Sequence, residues 1–80
     1  MEEEEEKDPK KLFLQVVGKR LREERKRAGF NQEELSWLSG IRQGAISRYE
    51  EGKVEIGIYN LKRICGVLKI TADKLLREDE

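Results

Sequence analysis

Apolar residues return along this chain at helical rather than alternating spacing. Phe13, Val17 and Leu21 recur at every fourth position, with Val16 and Gly18 beside them, which predicts one face of an amphipathic helix. Asp8 is a good cap, Pro9 suits a first helical position, and Ala28-Gly29 is a stop. The first helix is therefore expected from about Pro9 to Ala28. The strongest start signal comes next. Asn31 can cap and Glu34 stands three residues on, as a capping box requires, while Phe30 and Leu35 form a hydrophobic staple. The second helix runs from Gln32 to about Ser39 and stops at Gly40. A third, from about Arg42 to Glu51, buries Ile46 and Tyr49 and stops at Gly52. Val54 to Gly57 reads as a loop. A fourth helix, about Ile58 to Leu68, presents Leu61, Ile64, Cys65 and Leu68 on one face. Thr71 is expected to cap a last short helix bearing Leu75 and Leu76. The expectation is an all-α domain of five helices, with no strand and no internal repeat.

Two short helices joined by a tight turn containing glycine form a helix-turn-helix pattern. Its physical demands are met in order. The second helix must be small where the third crosses it, and Ser36 is small. The turn needs a residue free to adopt positive φ, and Gly40 supplies one. The third helix needs an inward apolar residue at mid-length, and Ile46 supplies it, with Leu35 and Ile41 at the remaining inward sites.

Length and composition narrow the function. Eighty residues make one domain, which at this size buries only about 60% of its unfolded surface. No apolar run is long enough to span a membrane, and the acidic start is unlike a secretory signal. There is no histidine, so the usual general base, the commonest metal ligand and the usual nucleophile pairs are missing. No catalytic residue, metal site or cofactor is expected. The single cysteine, Cys65, cannot form an internal disulfide, which fits a cytoplasmic protein, and it reads as a small core residue.

The formal net charge of zero hides an uneven distribution. Residues Met1 to Asp8 carry a net −5 and the last three residues −3, whereas Pro9 to Arg77 carry +8. A basic body with acidic ends suits a polyanionic partner, although charge also serves solubility. Residues 1–8 are expected to form a disordered acidic tail and residues 78–80 an acidic end. The tail has three readings: a solubilising or appended segment, a solvated native tail, or a DNA mimic that competes for the recognition face.

From Val17 to Leu76 the sequence resembles the Cro/CI repressor family, also called the XRE family. The resemblance rests on Gly18-Lys19-Arg20-Leu21, Arg25, Asn31-Gln32-Glu33-Glu34-Leu35 and Gly40-Ile41. It continues through Ile46-Ser47-Arg48-Tyr49-Glu50, Gly52-Lys53, Leu61, Ile64, Leu68, Asp73 and Leu75-Leu76. It implies a lambda-repressor-like fold, binding to double-stranded DNA, and a homodimeric regulator, in particular a repressor, on an inverted repeat. A protein-interaction module with weak DNA binding, antitoxin-like or bridging, is the alternative. The implied DNA-binding set is Asn31, Gln32, Arg42, Gln43, Gly44, Ala45, Ser47, Arg48 and Lys53, with Gln32 on a phosphate and Gln43 and Arg48 able to read bases. Arg25 and Glu50 match a structural ion pair of the family; the alternative for Arg25 is an ordinary exposed helix charge.

The chain also departs from the family pattern. Arg42 replaces a Ser or Thr cap, and Gly44 lacks a side chain where relatives often read a base. Glu51 puts a negative charge near the expected phosphate path. Ile56 replaces a frequent Pro. Trp37 and Leu38 are apolar where the family is polar. They either contact a partner or cover the Phe13–Val16 end of the first helix. With Ile56, Ile58 and Tyr59 they form the candidate dimer or partner interface.

Overall fold

The computed structural model describes residues 8–78. The expected disordered acidic tail and the final acidic residues fall almost wholly outside that range. Glu78 and Asp8 are the exceptions, and Asp8 starts the first helix. Its side chain accepts a hydrogen bond from the Lys10 amide at 3.0 Å, and Pro9 follows at the first position, so helix α1 begins there and spans Pro9–Arg27. Past its end, Gly29 adopts φ 88° and the Phe30 amide reaches back to the Arg25 carbonyl at 3.1 Å. That closes the helix with a left-handed residue as expected.

Helix α2 spans Gln32–Ser39. Both capping-box bonds are formed: Glu34 N to Asn31 Oδ1 at 2.7 Å and Asn31 N to Glu34 Oε1 at 2.8 Å. Gly40 ends α2 at φ 75°. The Ser36 hydroxyl then donates to the Ile41 carbonyl, and Ser39 Oγ accepts from the Ile41 amide at 3.2 Å. Thus the two serines satisfy the polar backbone of the turn that leads into helix α3, Gln43–Glu50. This helix is one residue shorter at each end than expected. Arg42 is its N-cap and makes no side-chain cap bond, because its guanidinium side chain has donors but no acceptor for the amides there.

Helix α4 spans Ile58–Leu68 and helix α5 Ala72–Leu76. Thr71 occupies the cap of α5 but makes no side-chain cap bond, contrary to expectation. The end of α4 was not marked by glycine: Lys69 takes the left-handed conformation at φ 59°, and the Ile70 amide bonds to the Cys65 carbonyl at 3.1 Å. There is no strand among the described residues.

The core gathers one face of every helix. Leu21, Leu35, Ile46, Ile64 and Leu75 are fully buried, one from each of α1 to α5. Burying such a side chain is worth roughly 1.5–3 kcal/mol. Val17, Ile41, Tyr49, Cys65 and Leu68 complete the cluster, with Phe13, Leu61 and Ile56 packed against it. Burial raises the Cys65 thiol pKa, which fits an inert core residue. Helix α1 packs on α3 and α5, and α2 packs on α3 and α4. The α1–α3 crossing depends on Gly18. A β-carbon there would lie 2.6 Å from the Glu50 carbonyl oxygen and closer still to that of Tyr49. The backbone at the end of α3 therefore rests directly on α1.

Candidate nucleic-acid interface

Helix α3 is held from below and open above. Ile46 and Tyr49 anchor its inner side. The Tyr49 hydroxyl accepts from Asn60 Nδ2 at 2.9 Å, tying α3 to α4. Glu50 fastens its last turn. Arg25 Nε donates to Glu50 Oε2 at 2.6 Å and Arg25 Nη2 to Glu50 Oε1 at 3.0 Å, a two-pronged pair whose side chains are 7% and 3% exposed. Arg25 Nη1 also donates to the Phe30 carbonyl at 2.8 Å. The hydrogen bond from the guanidinium to Glu50 raises the Arg25 pKa, against the lowering effect of burial, so Arg25 stays charged. Arg25 is therefore not an ordinary exposed helix charge. It joins α1, the α1–α2 turn and α3 at one point.

Gln32 joins the same cluster, donating from Nε2 to Glu50 Oε1 at 3.0 Å. The family resemblance implies only a phosphate contact for Gln32. One of its two amide hydrogens is used internally, and the other remains for an external oxygen. The signal was available in principle, since Gln32 and Glu50 both belong to the matched pattern. Their contact spans 18 residues, however, and no local rule predicts it.

The outer side of α3 carries Gln43, Gly44 and Arg48, all exposed, and Ser47, half-buried. Gln43 and Ser47 share one row of this helix, and Gly44 and Arg48 the adjacent row. Arg48 Nη1 lies 3.4 Å from the Gly44 carbonyl, folded back along its own helix. Ala45 is half-buried and packs against the core, so it is set back from the exposed ridge. Arg42 and Lys53, exposed, stand at the two ends of α3, and Asn31 is exposed at the start of α2. Glu51 is engaged by Lys53 Nζ at 3.3 Å and by Ser47 Oγ at 3.5 Å, which offsets its negative charge at this edge.

The remaining candidates separate. Trp37 is 84% exposed and Leu38 45%, so Trp37 does not cover the first helix. With Phe30, Asn31, Glu33 and Glu34 they line an open recess on the outer side of α2. Ile58 and Tyr59 are 87% and 66% exposed at the start of α4. The Arg63 guanidinium stacks on the Tyr59 ring at 5.4 Å. Ile56 is different: it is half-buried and packs against the core rather than standing exposed with them. Two bases of α1 are also engaged within the protein. Arg20 donates to the carbonyls of Leu75, at 3.1 Å, and Arg77, and Arg27 pairs with Glu24 at 2.8 Å. No helix among the described residues is long and apolar enough to cross a membrane.

Comparison with known proteins agrees with this geometry. The helix-turn-helix family profile matches residues 21–75, which includes all of α2, α3 and α4. No curated protein matches the sequence. The structure is similar to the crystal structure of the restriction-modification controller protein C.AhdI from Aeromonas hydrophila. The TM-score is 0.74 at 32% sequence identity, covering 78% of this chain and 94% of that one. A shared fold at this identity, together with a profile match over most of the chain, identifies a regulator rather than an enzyme. The chain belongs to the XRE-type helix-turn-helix family of DNA-binding transcriptional regulators.

Proposed function

We propose that the protein is a sequence-specific regulator, in particular a repressor, that binds an inverted-repeat operator as a homodimer. The observation that carries this reading is the fixing of α3. The Arg25–Glu50–Gln32 cluster clamps its far end while Gln43, Gly44 and Arg48 stand exposed along it. A helix held rigidly with polar side chains outward suits the major groove, where Gln43 would read adenine and Arg48 guanine or a phosphate. Asn31, the second amide hydrogen of Gln32, Arg42 and Lys53 would contact the backbone and set register. The similarity to a restriction-modification controller protein supports a stand-alone regulator.

Ile58 and Tyr59 supply the dimer contact in this reading, because both are large and exposed. Two copies joined there would present their α3 helices about one DNA turn apart, ~34 Å. Bound at a promoter, the dimer would act by occlusion or by contact with polymerase. A second reading is favoured by Trp37, whose exposure has no role in operator binding: a further protein partner docks on α2. The test of base reading is Gln43→Ala. It should relax preference at one base-pair position and weaken the best site by ~1–3 kcal/mol. Equal weakening on every sequence would reject a base-reading role.

A further inference from the structure

Leu35 and Ser39 turn one side of α2 into the fold, and the opposite side carries the most exposed aromatic ring of the domain. Trp37 and Leu38 there line an open recess of about 520 Å³ with Phe30, Asn31, Glu33 and Glu34. Glu33 shares a helical row with Trp37, and Glu34 shares one with Leu38, so each apolar side chain has a carboxylate one turn away. A tryptophan can bury about 150–250 Å² in a contact, and at 84% exposure Trp37 uses little of that within the chain. Glu33 has no ion-pair partner among the described residues. Glu34 gives Oε1 to the Asn31 amide, which leaves Oε2 for a partner. No base lines the recess. Its two carboxylates outweigh the roughly half positive charge at the amino end of α2. The recess is therefore apolar at its centre and negative at its rim. That charge repels phosphate, so DNA is a poor occupant. A second copy seated by a two-fold axis would set Glu33 and Glu34 opposite themselves, like charge against like. Seated in any other way, it would leave its own recess open and build a ring or a filament.

We propose that this recess docks a different protein, through a segment that carries a large apolar side chain flanked by lysine or arginine. The inference rests on the second reading above, a protein partner on α2, and names that partner's chemistry. The apolar side chain lies against Trp37 and Leu38, the apolar centre of a contact with a polar rim. The flanking bases meet Glu33 and Glu34, and one of them can stack on the indole face. No residue of α3 lines the recess, so docking and operator reading use different side chains, Asn31 excepted. A docked partner would stand beside bound DNA rather than in place of it.

Trp37 is the one tryptophan of the chain, so its fluorescence reports on the recess directly. A random peptide library free of tryptophan, selected on the full chain and counter-selected on Trp37→Ala, supplies the probe. The enriched peptides should carry an apolar residue flanked by Lys or Arg. A synthetic copy of the best one should shift Trp37 emission to the blue and shield it from quenching by acrylamide. Trp37→Ala should weaken binding of the labelled peptide about tenfold or more, with melting temperature and operator affinity unchanged. Glu33→Gln with Glu34→Gln keeps the capping box, because glutamine serves at its third position. That double variant should weaken the peptide about fivefold and flatten the salt dependence of its binding. Enrichment of neutral or acidic peptides that still need Trp37 would overturn the basic assignment and leave a protein partner on α2 standing. Recovery of no peptide that depends on Trp37 would overturn both. A blue shift on concentrating the protein alone would give the recess to a second copy, and a blue shift on adding duplex DNA alone would give it to DNA. Either result would overturn the inference.

Discussion

Arg25→Ala should be among the most damaging single changes in this domain. In the native structure the Arg25 guanidinium gives two hydrogen bonds to Glu50, at 2.6 and 3.0 Å, and a third to the Phe30 carbonyl at 2.8 Å. Truncation leaves the Glu50 carboxylate 3% exposed with only the Gln32 amide beside it. Removing one member of a buried pair costs about 3–5 kcal/mol, because the other charge stays buried and uncompensated. A domain of this length has roughly 4–12 kcal/mol of total stability, so about a quarter or more would go. At about 4–8 °C per kcal/mol the melting temperature should fall by at least ~12 °C. Urea unfolding followed by circular dichroism is the assay, with a displaced midpoint at unchanged slope. The double variant Arg25→Leu with Glu50→Leu should recover most of the loss, since no charge is then left unpaired. A loss under about 1 kcal/mol for Arg25→Ala, the value of an exposed pair, would refute the claim that this cluster clamps α3.

Three further outcomes follow from the same structure. Gly18→Ala should destabilise by about 1–3 kcal/mol despite alanine's helix propensity, because its β-carbon meets the Tyr49 and Glu50 carbonyls; a variant as stable as wild type by urea titration would show that α1 and α3 can separate without loss. Burial holds the Cys65 thiol pKa above its ordinary value of 9.0, so the folded state keeps its proton where the unfolded state begins to release it. Stability should therefore be unaffected by this group below pH 9.0 and decline above it, and Cys65→Ala should flatten that decline in urea midpoints taken across the range. Ile58→Glu should leave the melting temperature within about 0.5 kcal/mol equivalent and abolish self-association in sedimentation, since Ile58 is 87% exposed; a persisting dimer would move the proposed interface elsewhere.

What the sequence made legible was mostly local. Asp8 and Pro9 at the start of α1, the reciprocal Asn31–Glu34 bonds, and the left-handed glycines at 29, 40 and 52 each follow from residues within a few positions of one another. The buried leucines and isoleucines follow from helical spacing. The Arg25–Glu50 pair came through resemblance, not spacing, as its members are 25 residues apart. What stayed hidden was nonlocal or lacked a distinctive residue. Lys69 takes a conformation usually given to glycine. Thr71 is an ordinary cap residue that makes no cap bond. Arg20 looks like one more base on α1, yet it binds the carbonyls of Leu75 and Arg77 at the far end of the chain. In the candidate interface, the exposure of Gln43 and Arg48 was legible from helical phase. The diversion of Gln32 to Glu50 and the setting-back of Ala45 and Ile56 depend on how the helices cross.

The central claim is that α3 reads a defined DNA sequence twice, once from each copy of the protein. Selection of binding sites from a random duplex pool at physiological salt tests it most directly. The account predicts an enriched inverted repeat whose half-sites are centred about one helical turn, ~34 Å, apart. Recovery of no enriched motif, with binding that disappears as salt rises, would leave only attraction between the basic body and phosphate and would contradict it.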